Sequence, residues 1–229
     1  MPGGRPLAVV LLSGGMDSTV TAALAARESR IAVLHATYGQ RTAARERRAF
    51  EALAEYFGVP PGLRRVVDIA FLSALGGSAL TDPALAVPEA GPGAGVPVTY
   101  VPFRNAHLLS SAVSWAEVLG AGSVWIGAVE EDSSGYPDTR ESFLRAFEAA
   151  VRAGTRAGAR LSIRAPLVHR SKAEIVRTGI ALGVPFGLTW SCYQRDAVAC
   201  GRCESCRLRR KAFREAGIDD PLPYEDGTA

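Results

Sequence analysis

Short apolar segments alternate with longer amphipathic segments along the first part of the chain. Residues 7–12 are entirely apolar, and residues 31–37 and 63–69 are also rich in aliphatic side chains. Continuous apolar runs of this length are typical of strands buried on both faces of a parallel sheet. The intervening segments, 18–30 and 41–57, have the length and polarity of amphipathic helices. This alternation predicts an α/β fold with a parallel sheet.

The alternation is interrupted once, at residues 73–97, which are rich in Gly, Pro and Ala and predict a long loop or lid. It then resumes, and further helices and strands are predicted at 106–119, 123–127, 138–152, 161–165, 171–182 and 207–216. Ser171 and Glu174 have the spacing of a capping box at a helix start. Because no repeat or low-complexity linker divides the sequence, we expect one domain over residues 1–229.

Composition restricts the classes of protein that the chain can belong to. Of its 229 residues 48 % are hydrophobic, which is enough for a packed core, and the net charge of +3 is too small to indicate nucleic-acid binding by itself. No apolar run approaches the length of a membrane span, and the run at 7–12 is too short for a secretory signal. These features predict a cytoplasmic protein without a membrane partner.

A glycine turn joins the first predicted strand to the first predicted helix. Its sequence is Ser13-Gly14-Gly15-Met16-Asp17-Ser18. Glycines allow close backbone approach to a ligand, and a helix N-terminus offers unpaired N–H groups to an anion. The turn lacks the Gly-Lys-Ser/Thr of a Walker loop and the three spaced glycines of a dinucleotide fingerprint. It therefore predicts a different kind of pyrophosphate cradle, and the alternative is a plain Gly-Gly turn with a Ser/Asp helix cap.

All four cysteines of the chain lie close together near the C-terminus. Cys192, Cys200, Cys203 and Cys206 have the spacing C-x7-C-x2-C-x2-C. Four thiolates fill a tetrahedral zinc shell and leave no open position, which predicts a structural metal site. An iron–sulfur cluster fits the same spacing. Free core cysteines or two disulfides are the remaining alternatives, and neither explains the crowding.

The motif SGGMDS resembles the SGGxDS signature of the PP-loop ATP pyrophosphatases. With five further segments it resembles one family among them, the 7-cyano-7-deazaguanine synthases of the queuosine pathway. These segments are 38–41 (YGQR), 101–105 (VPFRN), 130–138 (EEDSSGYPD), 171–174 (SKAE) and 189–193 (TWSCY). The resemblance extends over residues 7–213. It implies a doubly wound parallel sheet of the PP-loop, adenine-nucleotide alpha hydrolase-like type, with a C-terminal zinc-bound flap at 189–216.

The resemblance also implies a reaction, in which ATP activates the carboxylate of 7-carboxy-7-deazaguanine and ammonia converts it to a nitrile. Mg²⁺ would accompany ATP, one structural Zn²⁺ would occupy the four cysteines, and the chain would form a homodimer. The implied ATP contacts are Leu12, Ser13, Gly14, Gly15, Met16, Asp17, Ser18, Thr19, Val20, Thr21 and Ala22.

The predicted catalytic groups are Asp17, Ser18, Arg104 and Lys172. Asp17 and Ser18 would hold phosphate and metal, Arg104 would pair with a carboxylate or phosphate through its planar fork, and Lys172 would balance charge on phosphate. The predicted substrate-binding residues are Phe103, Arg104, Glu130, Tyr136 and Asp138, with the aromatic rings stacking on the deazapurine and a carboxylate accepting its N–H groups. His35 lies within a predicted strand and is expected to be a core residue.

Other functions remain open at this point. A tRNA-thiolating enzyme would share the PP-loop but would carry sulfur or an iron–sulfur centre, and a related use of the fold would modify a protein instead of a free base. A non-enzymatic zinc-ribbon protein would use the basic run at 202–214 to bind RNA. We expect that run to be a solvated helix face or a source of attraction for ATP, so a nucleic-acid partner is not expected.

Overall fold

The computed structural model describes residues 4–89, 95–130, 135–225 and 227. Within these residues a single sheet contains the strands β1 (Leu7–Leu11), β2 (Arg30–Thr37), β3 (Arg64–Asp68), β4 (Ser123–Trp125) and β5 (Ser162–Arg164). All neighbouring strands are parallel, in the order β3-β2-β1-β4-β5. The chain adds strands outward on one side of β1 and then on the other, so the predicted doubly wound parallel sheet is confirmed.

Helices connect the strands and cover both faces of the sheet. They are α1 (Met16–Glu28), α2 (Ala43–Tyr56), α3 (Phe71–Leu75), α4 (Arg104–Leu119), α5 (Glu141–Gly154), α6 (Lys172–Ala181) and α7 (Glu204–Ala216). No helix among the described residues combines the length and the apolar character that crossing a membrane would require.

The apolar strands are buried on both faces because successive side chains of a strand point to opposite sides. On β1, Val9 and Leu11 pack with residues of α4 and α5. Ala8 and Val10, which alternate with them, pack with residues of α1 and α2 instead. This explains why β1 contains no polar residue, as a strand of a parallel sheet covered by helices on both faces requires.

Most predicted elements exist, with shifted boundaries. Helix α5 begins at Glu141 instead of 138, because Pro137–Thr139 form a short 3-10 turn before it. Helix α7 begins at Glu204, three residues earlier than predicted, directly after the third cysteine. The predicted loop at 73–97 overlaps the end of α3, and its described part otherwise contains only turns, bends and irregular backbone.

The strand order creates a crevice at the carboxyl ends of β1 and β4, where the direction of winding reverses. Ligands of open α/β sheets bind at this point. The glycine turn follows β1, and Gly127 follows β4, so both lie at this crevice.

Candidate active site

The glycine turn leaves β1 in a conformation that only glycine accommodates. Gly14 has φ of +91°, and a Cβ atom added there would lie 2.8 Å from the carbonyl oxygen of Glu46 and 2.9 Å from Cβ of Ala49. A backbone oxygen cannot move aside as a flexible side chain can, so α2 holds the turn closely against β1. The backbone N–H of Trp190 donates to the carbonyl oxygen of Gly14 at 2.8 Å and fixes the turn from the opposite direction.

Two serines and the start of α1 complete the turn. The hydroxyl oxygens of Ser13 and Ser18 lie 3.0 Å apart, and Ser18 also donates to the carbonyl oxygen of Gly15 at 3.0 Å. Helix α1 begins at Met16 without a capping side chain. The N–H groups of its first turn therefore lack a side-chain acceptor and are suited to an anionic ligand.

Asp17 and Lys172 meet across the crevice although they are far apart in sequence. The Nζ atom of Lys172 lies 2.5 Å from Oδ2 of Asp17, while Oδ1 of Asp17 is buried and has no hydrogen-bond partner in the described part of the chain. Lys172 is the first residue of α6, whose capping box between Ser171 and Glu174 is confirmed. Asp17 lines the cavity, and carboxylate oxygens are preferred ligands of Mg²⁺, so Mg²⁺ fits this position.

These groups line one cavity of about 290 Å³. Its floor consists of apolar side chains at the strand ends, including Leu34, Ala36 and Ile126, and its walls carry Arg104 and Tyr136. An apolar cavity with a few converging polar groups is the usual form of a small-molecule site. Of the eleven residues predicted to contact ATP, those that line it are Leu12, Ser13, Gly15, Met16, Asp17 and Ser18. Thr19, Val20, Thr21 and Ala22 are buried within α1, and a direct contact with a ligand in this cavity is not expected for them.

Arg104 lies in the cavity among tyrosines. Its Nη1 atom donates to the hydroxyl oxygen of Tyr38 at 3.0 Å, and its guanidinium carbon is 5.2 Å from the ring centre of Tyr38 and 5.8 Å from that of Tyr136. In the described part of the chain no carboxylate forms an ion pair with Arg104. Burial raises the pKa of Tyr38 to about 12, so the phenol stays neutral and does not balance the positive charge. Asp138 and Glu46 act on Arg104 electrostatically without forming an ion pair with it, so its remaining N–H groups are available to an anionic ligand group.

Several residues that line the cavity have no role predicted from the sequence, and Tyr38, Glu46 and Tyr193 are among them. Tyr38 and Tyr193 belong to the segments 38–41 and 189–193 that carry the family resemblance, whereas Glu46 lies outside all of these segments. The carboxylate of Glu46 accepts hydrogen bonds from Nε2 of Gln40 at 3.0 Å and Oγ1 of Thr42 at 2.8 Å. Desolvation raises the pKa of Glu46 above its ordinary value despite these two donors. The three residues lie in separate parts of the chain, after β2, on α2 and beside Cys192, so only the tertiary structure brings them to one site.

The four cysteines converge on one point. Their sulfur atoms all lie within 4.8 Å of one another, and all four residues are buried. The sulfurs of Cys200 and Cys206 are 3.9 Å apart, against about 3.8 Å for two ligands of a tetrahedral zinc with Zn–S bonds of about 2.3 Å. Backbone N–H groups donate to the sulfurs of Cys192 and Cys200, as they do to metal-bound thiolates. This group can hold a metal ion such as zinc.

Comparison with known proteins identifies the family. The family model described as "Queuosine biosynthesis protein QueC" matches residues 7–217. The chain belongs to the QueC family. Its relatives include proteins named 7-cyano-7-deazaguanine synthase from Koribacter versatilis, 59 % identical over 95 % of this chain and 92 % of the relative, and from Acidobacterium capsulatum, 52 % identical over 96 % and 97 %. A solved structure, the U34-tRNA thiolase NcsA from Methanococcus maripaludis, aligns with a TM-score of 0.49 at 11 % identity, covering 93 % of this chain and 68 % of that one.

In this QueC family member three of the predicted substrate contacts do not line the cavity. Phe103 is 55 % exposed, and its ring packs edge-on against His107 and Phe143. Oε2 of Glu130 accepts a hydrogen bond from the backbone N–H of Glu141 at the start of α5. Part of the segment that contains Glu130, residues 131–134, lies outside the described residues. Roles of Phe103 and Glu130 in substrate binding stay predictions that require a movement toward the cavity.

Asp138 is the third of these residues and is buried behind the cavity wall. Its Oδ2 atom accepts a hydrogen bond from the backbone N–H of Asn105 at 2.8 Å, at the start of α4. Its Oδ1 atom is buried and has no hydrogen-bond partner among the residues that the structure describes. Asp138 thus accepts a backbone N–H group at the start of the helix that carries Arg104, and its contact with the substrate stays a prediction.

The basic run at 202–214 is largely paired within the protein. Arg209 is 2 % exposed and binds Asp220 through Nε at 2.8 Å, Thr189 through Nη1 at 2.6 Å and the carbonyl oxygen of Phe186. Arg202 lies 3.6 Å from a carboxylate oxygen of Glu89. Arg202, Arg207, Lys211 and Arg214 are exposed, as expected of a solvated helix face. Arg209 differs from them, because it is buried and holds α7 against Asp220.

Proposed function

We propose that this protein is a 7-cyano-7-deazaguanine synthase that uses ATP to convert 7-carboxy-7-deazaguanine and ammonia to the nitrile. The proposal is supported by family membership and by the names of the relatives. The single observation that favours a carboxylate substrate is Arg104, a guanidinium in the cavity with only a neutral phenol as hydrogen-bond partner among the described residues.

The first half of the proposed reaction makes an amide. A carboxylate is a poor electrophile, so one of its oxygens attacks the α-phosphorus of ATP and pyrophosphate leaves. Ammonia then attacks the carbonyl carbon of the acyl adenylate, the bond to AMP breaks, and one proton is lost from nitrogen. The second half repeats the activation on the amide oxygen, and loss of AMP with two protons from nitrogen leaves the nitrile. Each carboxylate oxygen thus departs on one AMP.

We assign the roles of the chain as follows. Arg104 orients the carboxylate through its planar fork before the first attack. The glycine turn and the N-terminus of α1 bind phosphate oxygens, and Lys172, 2.5 Å from Asp17, exchanges this partner for charge that develops on the leaving pyrophosphate. Mg²⁺, held by Asp17, would supply charge neutralisation at the phosphates. The apolar strand ends exclude water, which protects the acyl adenylate from hydrolysis.

The four cysteines are proposed to bind one Zn²⁺ in a structural role. They form a buried cluster with Ala49, Trp190, Leu222 and Tyr224, so the residues around the cysteines pack against α2 and against the chain that follows α7. A closed shell of four thiolates would supply rigidity at the cavity wall and no open coordination position. We also propose a homodimer, on the family resemblance, which light scattering coupled to gel filtration would test.

The test of the proposed function is direct. The zinc-loaded protein is incubated with 7-carboxy-7-deazaguanine, ammonium and Mg-ATP, and mass spectrometry follows the carboxylate, the amide and the nitrile. We expect the nitrile, with AMP and pyrophosphate as nucleotide products. Absence of both nitrile and nucleotide turnover would refute the proposal, and ADP in place of AMP would refute the adenylate step alone.

A further inference from the structure

A buried chain of hydrogen bonds connects residues 192–206, which carry the four cysteines and are called here the cysteine segment, to the cavity. Glu204 is the first residue of α7 and stands between the third and fourth cysteines. Its side chain is only 4 % exposed, and Oε2 accepts a hydrogen bond from Oγ1 of Thr99 at 3.4 Å. The hydroxyl oxygen of Thr99 in turn accepts a hydrogen bond from the phenol of Tyr136 at 2.9 Å. Tyr136 lines the cavity beside Arg104.

The chemistry of the three groups fixes the direction of this chain. A carboxylate can only accept, so the Thr99 hydroxyl donates to Glu204. Its oxygen is then the acceptor for Tyr136, whose proton is directed away from the cavity. Thr99 has no exposed surface and Tyr136 only 6 %, so water cannot replace either bond without opening the wall. The phenol of Tyr136 is therefore held in one orientation through Thr99 by Glu204, a carboxylate of the cysteine segment.

Packing alone does not explain why a carboxylate occupies the buried position of Glu204. A buried carboxylate is costly unless donors compensate it, yet Oε1 of Glu204 has no partner among the described residues. The N-terminus of α7 offsets part of this cost, because a helix start favours negative charge. A glutamine or an apolar residue would fill the same space at lower cost, which indicates that the acceptor serves the group to which it is connected.

We propose that Glu204 and Thr99 are positioning residues that hold the Tyr136 ring against Arg104, so that the cysteine segment forms part of the substrate wall. The inference rests on the proposed function for its kinetic consequence. Neither residue touches the cavity. Tyr136 does, and its ring centre lies 5.8 Å from the guanidinium carbon that would orient the carboxylate and 5.6 Å from the ring centre of Tyr100.

The test is a double-mutant cycle on the zinc-loaded full chain. Thr99→Val keeps the shape of the side chain and removes its hydroxyl group. Tyr136→Phe keeps the ring and removes the phenol hydroxyl. Thr99→Ser keeps a hydroxyl group at position 99 and with it the chain of hydrogen bonds. We expect Thr99→Val and Tyr136→Phe each to raise KM for 7-carboxy-7-deazaguanine about three- to tenfold, which is the effect of one net hydrogen bond, with KM for ATP unchanged. The double variant should equal either single variant, and Thr99→Ser should restore the wild-type value.

A second measurement does not depend on the substrate. Deuterium uptake at residues 136–144 should rise in Thr99→Val and remain at the wild-type level in Thr99→Ser. Thr178→Val is the matched control, since its hydroxyl bonds only the carbonyl oxygen of Glu174 within α6. Increased uptake confined to residues 95–101, or kinetic effects that multiply in the double variant, would overturn the inference. If the wild type is inactive but the variants show the expected deuterium uptake, the proposed function is refuted while the positioning of Tyr136 by Thr99 and Glu204 is still supported.

Discussion

Gly127 offers the sharpest test of how the sheet shapes the phosphate site. It follows β4, and a Cβ atom added there would lie 2.9 Å from the backbone nitrogen of Ser18 and 3.0 Å from the carbonyl carbon of Asp17. Ordinary contact begins at 3.4 Å, so Gly127→Ala must separate β4 from the start of α1 by about 0.5 Å. All of the contacted atoms belong to the backbone, which cannot rotate away.

The expected magnitudes follow from this displacement. Overpacking of a close contact costs about 1–3 kcal/mol of unfolding free energy. The displaced atoms belong to the turn that is proposed to bind phosphate, and a misplacement of about 1 Å in a catalytic site costs on the order of 100-fold in rate. For a shift of about half that size, we expect kcat/KM for ATP to fall about tenfold or more, with a smaller loss of stability.

The assay is pyrophosphate release at varied ATP, together with urea unfolding. Gly122→Ala is the matched control, because Gly122 lies just before the same strand and an added Cβ would meet only the carbonyl oxygen of Arg160, at 4.0 Å. The control should keep wild-type kinetics and gain up to about 1 kcal/mol of stability from the restricted unfolded chain. Wild-type ATP kinetics in Gly127→Ala would refute the assignment of the glycine turn to the nucleotide.

Three further changes have defined outcomes. Arg104→Lys removes the planar fork, so KM for the carboxylate substrate should rise about tenfold or more while KM for ATP changes little; equal effects on both substrates in steady-state kinetics would contradict its role. Cys203→Ser should release the metal and lower the unfolding free energy by several kcal/mol, measured by elemental analysis and urea unfolding, whereas an unchanged zinc content would contradict a four-cysteine site. Burial lowers the pKa of His35 from 6.5 to about 4, so between these pH values the unfolded state binds more protons than the folded state. The free energy of unfolding should therefore fall by about 3 kcal/mol as the pH falls from 6.5 to 4. Urea unfolding at several pH values should show a smaller loss in His35→Gln, and an equal loss would exclude His35 as the cause.

The hydrophobic pattern was sufficient to predict the fold class, because the periodicity of a strand or a helix depends only on residues close together in sequence. The apolar run at 7–12 predicted a strand buried on both faces, and β1 occupies the centre of the sheet with side chains packed on both sides. The Ser171–Glu174 capping box placed the start of α6 correctly, since its hydrogen bonds lie within one helical turn. The spacing of the cysteines likewise predicted that their four thiols converge, because the short loops between them leave few other arrangements.

The pairing of distant segments depended on the tertiary structure. No spacing in the sequence relates Asp17 to Lys172, and they meet only because α1 and α6 pack together at the crevice. Tyr38, Glu46 and Tyr193 come from three other parts of the chain, and no spacing in the sequence relates them to the cavity. Glu130 and Asp138, which the sequence predicted as substrate contacts, accept backbone N–H groups at helix starts in the structure. The sequence by itself determined the elements and the residue types that carry chemistry, because periodicity and motifs are local. The fold decided which of these residues share one cavity, because contacts between distant segments arise only when the helices pack on the sheet.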